Sequence, residues 1–309
     1  MLRSVLLYLS EAAWAKALIT RFFVARRVAR RFVAGETLAE AIQAVRKLNA
    51  DGLVVTLDYL GESVQSAQDA SEAADQYIHI LDTIASNNLQ ATVSLKLTQL
   101  GLNISEELCL GNLRRIVEHA RELDNHVTID MESHHYTDAT LRIFYEMHRA
   151  FGRAHVGTVI QAYLYRSEQD MAALKAEGAF VRLCKGAYKE PPDVAFPRKA
   201  DVDANFLKLM HAFIDADGTT GAYLGVASHD QRIIDAMRAY AASNNIPRDR
   251  FEFQMLYGIR SDLQRKLAQE GYTMRVYVPF GTQWYPYFMR RLAERPANLW
   301  FFISNFFRS

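Results

Sequence analysis

The amino-acid sequence predicts an α/β chain folded as one (βα)8 barrel of the TIM type behind an N-terminal amphipathic helical arm. Three observations carry that expectation. A length of 309 residues exceeds the usual single domain but suits a barrel of ~250 residues with extensions. Half the residues are hydrophobic, enough to fill a large core. Short β-branched or apolar runs alternate eight times with segments of helical periodicity, and such alternation implies a closed parallel sheet.

The runs are Leu53 to Leu57, Ala91 to Leu95, Val127 to Ile129, Val156 to Ile160, Ala179 to Cys184, Tyr223 to Ala227, Phe251 to Phe253 and Met274 to Val278. Most gaps are near the ~30 residues a βαβ unit needs. Between them, Ala74, Tyr77, Ile78, Leu81 and Ile84 form one helical stripe. Leu141, Phe144, Tyr145 and His148 form a second, and Ile233, Ile234, Met237 and Tyr240 a third. Ser167 with Asp170 reads as a capping box and Gly271 as a helix stop. The expected boundaries are 1–45 for the arm, 46–296 for the barrel and 297–309 for a hydrophobic terminal segment.

Both ends are unusual. Val5 to Tyr8 and Ala12 to Val24 are apolar-rich, with Arg21, Arg26, Arg27, Arg30 and Arg31 close by. Glu11 interrupts the run and no stretch approaches ~18 apolar residues, so neither a signal peptide nor a spanning helix is expected. The segment reads as an amphipathic helix packed on the barrel or on another subunit of a homo-oligomer; a basic helix lying on a membrane surface is the alternative. Removing residues 1–35 is therefore expected to alter oligomeric state or membrane association more than turnover. Leu299, Trp300, Phe301, Phe302, Ile303, Phe306 and Phe307 likewise call for burial or docking.

Charge excludes one class of partner. The 36 Lys+Arg against 35 Asp+Glu leave a net charge of +1, which is no nucleic-acid footprint. Cys109 and Cys184 stand far apart, as in a reducing, cytoplasmic setting. Cys184 reads as packing.

In a barrel of this kind, chemistry belongs at the carboxyl ends of the strands. The residues expected there are Asp58, Lys96, Asp130, Gln161, Arg182 with Lys185, His229, Gln254 and Tyr277. Stability gives no reason to end every strand on a polar side chain, so the ring reads as an active site. Gly186 and Ala187 leave room for a flat or phosphate-bearing ligand. The loop through Pro191, Pro192 and Pro197 to Arg198 and Lys199 either closes over it, supplying charge to a pyrophosphate, or is an ordinary surface loop. Near the end, Tyr287, Arg290, Arg291 and Glu294 recur at i, i+3, i+4, i+7 and make one polar helix face. Two adjacent guanidiniums suit forked binding of a carboxylate, with a solvated face as the alternative. Glu132, His134 and His135 lack a second ligand pair at metal spacing, so no metal site is expected.

Several segments are familiar together: Val93-Ser-Leu-Lys96, Ile129-Asp130, Arg182-Leu-Cys-Lys-Gly-Ala-Tyr188, Ser228-His229, Glu252-Phe-Gln254-Met-Leu-Tyr-Gly258, Tyr277-Val-Pro and Tyr287-x-x-Arg-Arg-x-x-Glu294. From about the first strand to Pro296 the chain resembles the proline dehydrogenase family, and in length its bacterial single-function members. The resemblance implies FAD-dependent oxidation of L-proline to 1-pyrroline-5-carboxylate, by hydride transfer from C5 to flavin N5. It further implies a membrane quinone as electron acceptor, a peripheral position at the inner face of the cell membrane, and 1-pyrroline-5-carboxylate dehydrogenase as a channelling partner. It implies a last barrel helix placed over the strand ends. Arg290, Arg291 and Lys96 then resemble the clamp on the substrate carboxylate, with Leu256, Tyr277 and Tyr287 around the ring of proline. Glu294 orients the arginines, and Glu62 is a gate partner for one of them. Gln161, Arg182, Lys185, Gly186, Ala187, Ser228, His229 and Gln254 resemble flavin contacts, alongside the Met131 backbone. Asp130 and Arg182 resemble the charged pair beside the reactive nitrogen. Two rivals come from other classes: a Schiff-base aldolase using Lys96 or Lys185, and a non-enzymatic membrane scaffold.

Overall fold

The computed structural model describes residues 29–215 and 218–294. Eight strands, β1 (Val54–Tyr59), β2 (Ala91–Leu95), β3 (Val127–Ile129), β4 (Val156–Gln161), β5 (Phe180–Cys184), β6 (Tyr223–Ala227), β7 (Phe251–Leu256) and β8 (Met274–Phe280), close in sequence order into a parallel barrel. β8 returns to β1 in the register Thr56↔Tyr277 and Tyr59↔Phe280. Closure leaves no strand edge unpaired.

Helix α1 (Leu38–Ala50) precedes β1. The connecting helices are α2 (Ala67–Ser86), α3 (Glu106–Glu122), α4 (Thr137–Phe151), α5 (Ser167–Ala176), α6 (Lys199–Phe213), α7 (Gln231–Ser243) and α8 (Ser261–Gln269). Helix α9 (Trp284–Glu294) follows β8. Each connecting helix turns its apolar stripe onto the strands, burying residues such as Tyr77, Leu81 and Ile84 of α2 or Ile233, Ile234 and Met237 of α7. A true capping box starts α1, where Thr37 accepts from Glu40 N–H and the Glu40 carboxylate accepts from Thr37 N–H.

Four expectations are corrected. Strands β1, β4 and β7 run beyond their apolar runs, so Asp58, Gln161 and Gln254 lie within strands, as do Arg182 and Tyr277. A lumen-facing polar residue continues a strand when its neighbours satisfy it, and hydrophobicity therefore ends too early as a marker. On α2 the second fully buried isoleucine is Ile80, while Ile78 is only half-buried. On α4 and α7, Tyr145 and Tyr240 are likewise half-buried. Ser167 forms no capping box: its hydroxyl donates to Gln161 O at 2.6 Å, and Asp170 binds Arg166 instead. Gly271 does stop α8, at φ +82 with its N–H on Ala268 O.

Residues 1–28 and 295–309, which hold most of the apolar ends read from the sequence, lie outside the described residues. Ala29, Phe32 and Val33 are described and buried, packed with Trp284, Phe288, Met289 and Leu292 of α9. Among the described residues no helix is long and apolar enough to cross a membrane.

Candidate active site

A cavity of about 860 Å³ opens at the carboxyl ends of the strands, with Tyr287, Arg290 and Arg291 of α9 in its wall. The last helix thus covers the strand ends, and its polar stripe faces the cavity. Arg291 is 8% exposed, with its guanidinium 5.1 Å from the Tyr287 ring centroid. Arg290 donates to Glu62, in the loop after β1, at 2.7 and 3.4 Å.

Across from the arginines lies a buried charge network. Asp130, just past β3, accepts from Arg182 Nη1 and Ser94 Oγ at 2.7 Å each and from Tyr277 Oη at 2.6 Å. Lys96 Nζ lies 3.4 Å from Asp130 and from both oxygens of Asp58. Burial opposes the Asp130 charge, but Lys96, Arg182 and the hydroxyl donors outweigh it and hold its carboxyl below the ordinary value. Asp58 goes the other way, raised by burial that Lys96 only partly offsets. Burial also works against the Lys96 charge, yet Asp58, Tyr277 and Asp130 lift its ammonium well above the usual lysine value. A lysine so held keeps its proton. The nucleophile of a Schiff-base aldolase needs the free amine, which this setting disfavours.

Arg182 is fixed from three sides. Its Nε donates to Gln254 Oε1 at 2.6 Å, and its guanidinium lies 5.0 Å from the Tyr277 ring centroid. Gln254 Nε2 in turn donates to Glu252, which pairs with Arg275 at 2.6 Å lower in the lumen. Glycine at Gly225 makes room, since a Cβ there would strike the Gln254 amide. Gln161 donates to the carbonyls of Met131 and Glu132. His229 Nε2 accepts from Leu256 N–H at 2.9 Å, which places its proton on Nδ1.

The residues singled out from the sequence for catalysis, substrate or cofactor line this one cavity with three exceptions: Glu62 and Arg198 lie outside its lining, and the side chain of Glu294 lies outside the described residues. Charge near the proline-rich loop is already balanced. Lys185 pairs with Asp203 and Asp230, Lys199 with Asp203, and Arg198 with Asp201. Cys184 is half-buried; it packs against the barrel core and also lines the cavity. His134 pairs with Glu190 and Glu132 with Thr98, so the neighbouring groups on that loop engage separate partners. Tyr188 also lines the cavity and was assigned no role; its place in the Lys-Gly-Ala-Tyr segment was the available signal. Glu252 opens one of the familiar segments but was given no role, and Arg275 carried no signal, because it sits inside an apolar run.

Fold and cavity define a barrel enzyme whose site has two arginines of the last helix in its wall and a third, Arg182, fixed in the lumen. The sequence profile of a family described as "Proline dehydrogenase" matches residues 41–303. "Proline dehydrogenase 1" of Bacillus subtilis is 46% identical over 308 residues, covering 98% of each chain. "Proline dehydrogenase" of Deinococcus radiodurans is 45% identical over 280 residues, covering 90% of this chain and 89% of its own. Among solved structures, proline utilization A from Bdellovibrio bacteriovorus, inactivated by N-propargylglycine, superposes with a TM-score of 0.81 at 27% identity. That match covers 87% of this chain and 33% of the longer one. The chain belongs to the proline dehydrogenase family and is an oxidoreductase acting on proline.

Proposed function

We propose that the chain oxidises L-proline to 1-pyrroline-5-carboxylate with FAD and passes the electrons to a membrane quinone. The reading rests on the opposition of Arg290 and Arg291 to the Asp130–Arg182–Tyr277 network across one cavity.

The residues present fit a flavin. Arg182 Nη2 and Gln161 Oε1 are buried and have no hydrogen-bond partner among the described residues. One is a donor and the other an acceptor, and a flavin ring edge offers both acceptors and an N–H. Gln161, Arg182, Lys185, Gly186, Ala187, Ser228, His229 and Gln254, with the Met131 backbone, would hold it. FAD, when bound, supplies the two-electron acceptor for hydride from proline C5.

The chain supplies orientation and charge. Arg290 and Arg291, with Lys96, take the carboxylate, and Leu256, Tyr277 and Tyr287 wall the ring. Three cations near the substrate lower the affinity of its nitrogen for a proton, which must leave before hydride can. Arg182, permanently charged and held by Asp130 and Gln254, stabilises negative charge that develops beside it at no cost of reorganisation. Tyr277 crowds a substituted ring and so favours proline itself.

Anaerobic addition of proline to the purified protein tests the reading: absorbance in the flavin bands should bleach. Flavin bands that stay unchanged would overturn it.

A further inference from the structure

Glu132 is a buried carboxylate, 5% exposed, and it is absent from the cavity wall. Burying such a group has a cost that calls for a compensating partner. Among the described residues the carboxylate's hydrogen bonds come from Thr98, which donates its N–H to Glu132 Oε1 at 3.1 Å and its hydroxyl to Oε2 at 2.7 Å. Thr98 is fully buried in the 3₁₀ turn Leu97–Leu100 that follows Lys96.

A hydroxyl carries one proton. With that proton committed to Glu132, the lone pairs of Thr98 Oγ1 are left for the Ser63 N–H, 3.3 Å away. Thr98 O accepts from Val64 N–H, also at 3.3 Å. Ser63 holds φ +54, a left-handed conformation that a residue with a Cβ keeps only when its surroundings enforce it. Immediately before it stands Glu62, the partner of Arg290.

We propose that Glu132, acting through Thr98, is a positioning residue for the Glu62–Arg290 pair and thereby sets affinity for the substrate carboxylate. It rests on the reading of Arg290 and Arg291 as the carboxylate clamp. Neither Glu132 nor Thr98 touches the reacting atoms. Glu132 orients the Thr98 hydroxyl, Thr98 pins the backbone at Ser63 and Val64, and that loop presents Glu62 to the guanidinium.

The experiment is a double-mutant cycle on the FAD-loaded enzyme, reading Kd for tetrahydrofuroate together with KM and kcat for proline. Thr98→Val should raise Kd and KM about threefold to tenfold with kcat held within about twofold, the loss of a buried hydrogen bond acting on binding alone. Thr98→Ser, which keeps the hydroxyl, should restore wild-type values. In a Glu62→Ala background, which leaves Arg290 no acceptor at that position, Thr98→Val should add nothing, because the path to Arg290 is already cut. Should Thr98→Val fail to fold, Glu132→Gln takes its place in the same cycle. Additive effects, a fall in Kd, or a loss confined to kcat would each overturn the proposal. Arg291→Met serves as the reference: unchanged Kd there sinks the clamp reading itself, whereas weakened Kd there with unaltered Thr98→Val sinks only the role of Glu132 and Thr98.

Discussion

Arg291 is held almost entirely out of water, with its guanidinium 5.1 Å from the Tyr287 ring centroid, and under the proposed function it takes the substrate carboxylate. Arg291→Met keeps the length of the side chain and removes the charge. We expect KM for proline to rise about tenfold to a hundredfold, the equivalent of ~1.5 to 3 kcal/mol for a charge-assisted pair, while flavin stays bound. Loss of flavin absorbance instead would misplace the residue. Glu132 yields a second prediction. Burial, opposed by the two Thr98 donors, moves its carboxyl from the ordinary 4.5 to about 7. Between those values the folded chain binds more protons than the unfolded one, so this group's contribution to stability is complete below pH 4.5 and is lost as pH rises through about 7. Glu132→Gln removes the titration. Its melting temperature relative to wild type should therefore climb between pH 5 and 7 and level off above, with an upper limit of about 3 kcal/mol. A difference independent of pH would show that Glu132 does not titrate there.

At the scale of elements, the loop after β7 carries a position only glycine can fill. Gly258 has φ +72, and a Cβ at that point would fall on the Arg31 carbonyl oxygen. Gly258→Ala must push apart the loop that follows Leu256, a cavity-lining residue at the end of β7, and the segment that packs under α9. We expect a stability loss of at least about 2 kcal/mol, read by thermal melting, with weaker tetrahydrofuroate binding; unchanged melting would mean the two backbones do not meet. How much was legible in the sequence follows from the same geometry. The α9 face could be read because period 3.6 places Tyr287, Arg290 and Arg291 together whatever they touch. The strand-end ring could be read because alternation locates the strands. The Glu252–Arg275 pair could not, since β7 and β8 bring these residues together only through the register Gln254↔Arg275. Glu132 was weighed only as a metal ligand, and its pairing with Thr98 escaped for a similar reason: both lie past strand ends, and only the β2–β3 neighbourhood joins them.

For the whole molecule, the end of the N-terminal arm bears on the chemistry. Residues 1–45 are expected from the sequence to pack on the barrel or on another subunit, and Ala29, Phe32 and Val33 are buried against the helix that carries both arginines. Phe32 lies 6.4 Å from the Phe288 ring centroid, and Trp284 lies 5.9 Å from the same ring. Arg30 extends the contact by pairing with Glu40 at 2.8 Å, and Ala34 N–H donates to Pro279 O at 2.9 Å. Segment, helix and β8 thus form one packed unit at the mouth of the barrel. Losing a buried phenylalanine from such a cluster costs ~3 to 5 kcal/mol. The cost should appear in α9, because the barrel strands have their own core. We therefore expect removal of residues 1–35 to raise KM for proline with a soluble acceptor at least about threefold and to lower the melting temperature, relative to removal of residues 1–28. The comparison assigns the difference to the segment beginning at Ala29. Equal KM and equal melting for the two truncations would show that α9 holds its arginines over the strand ends without that support.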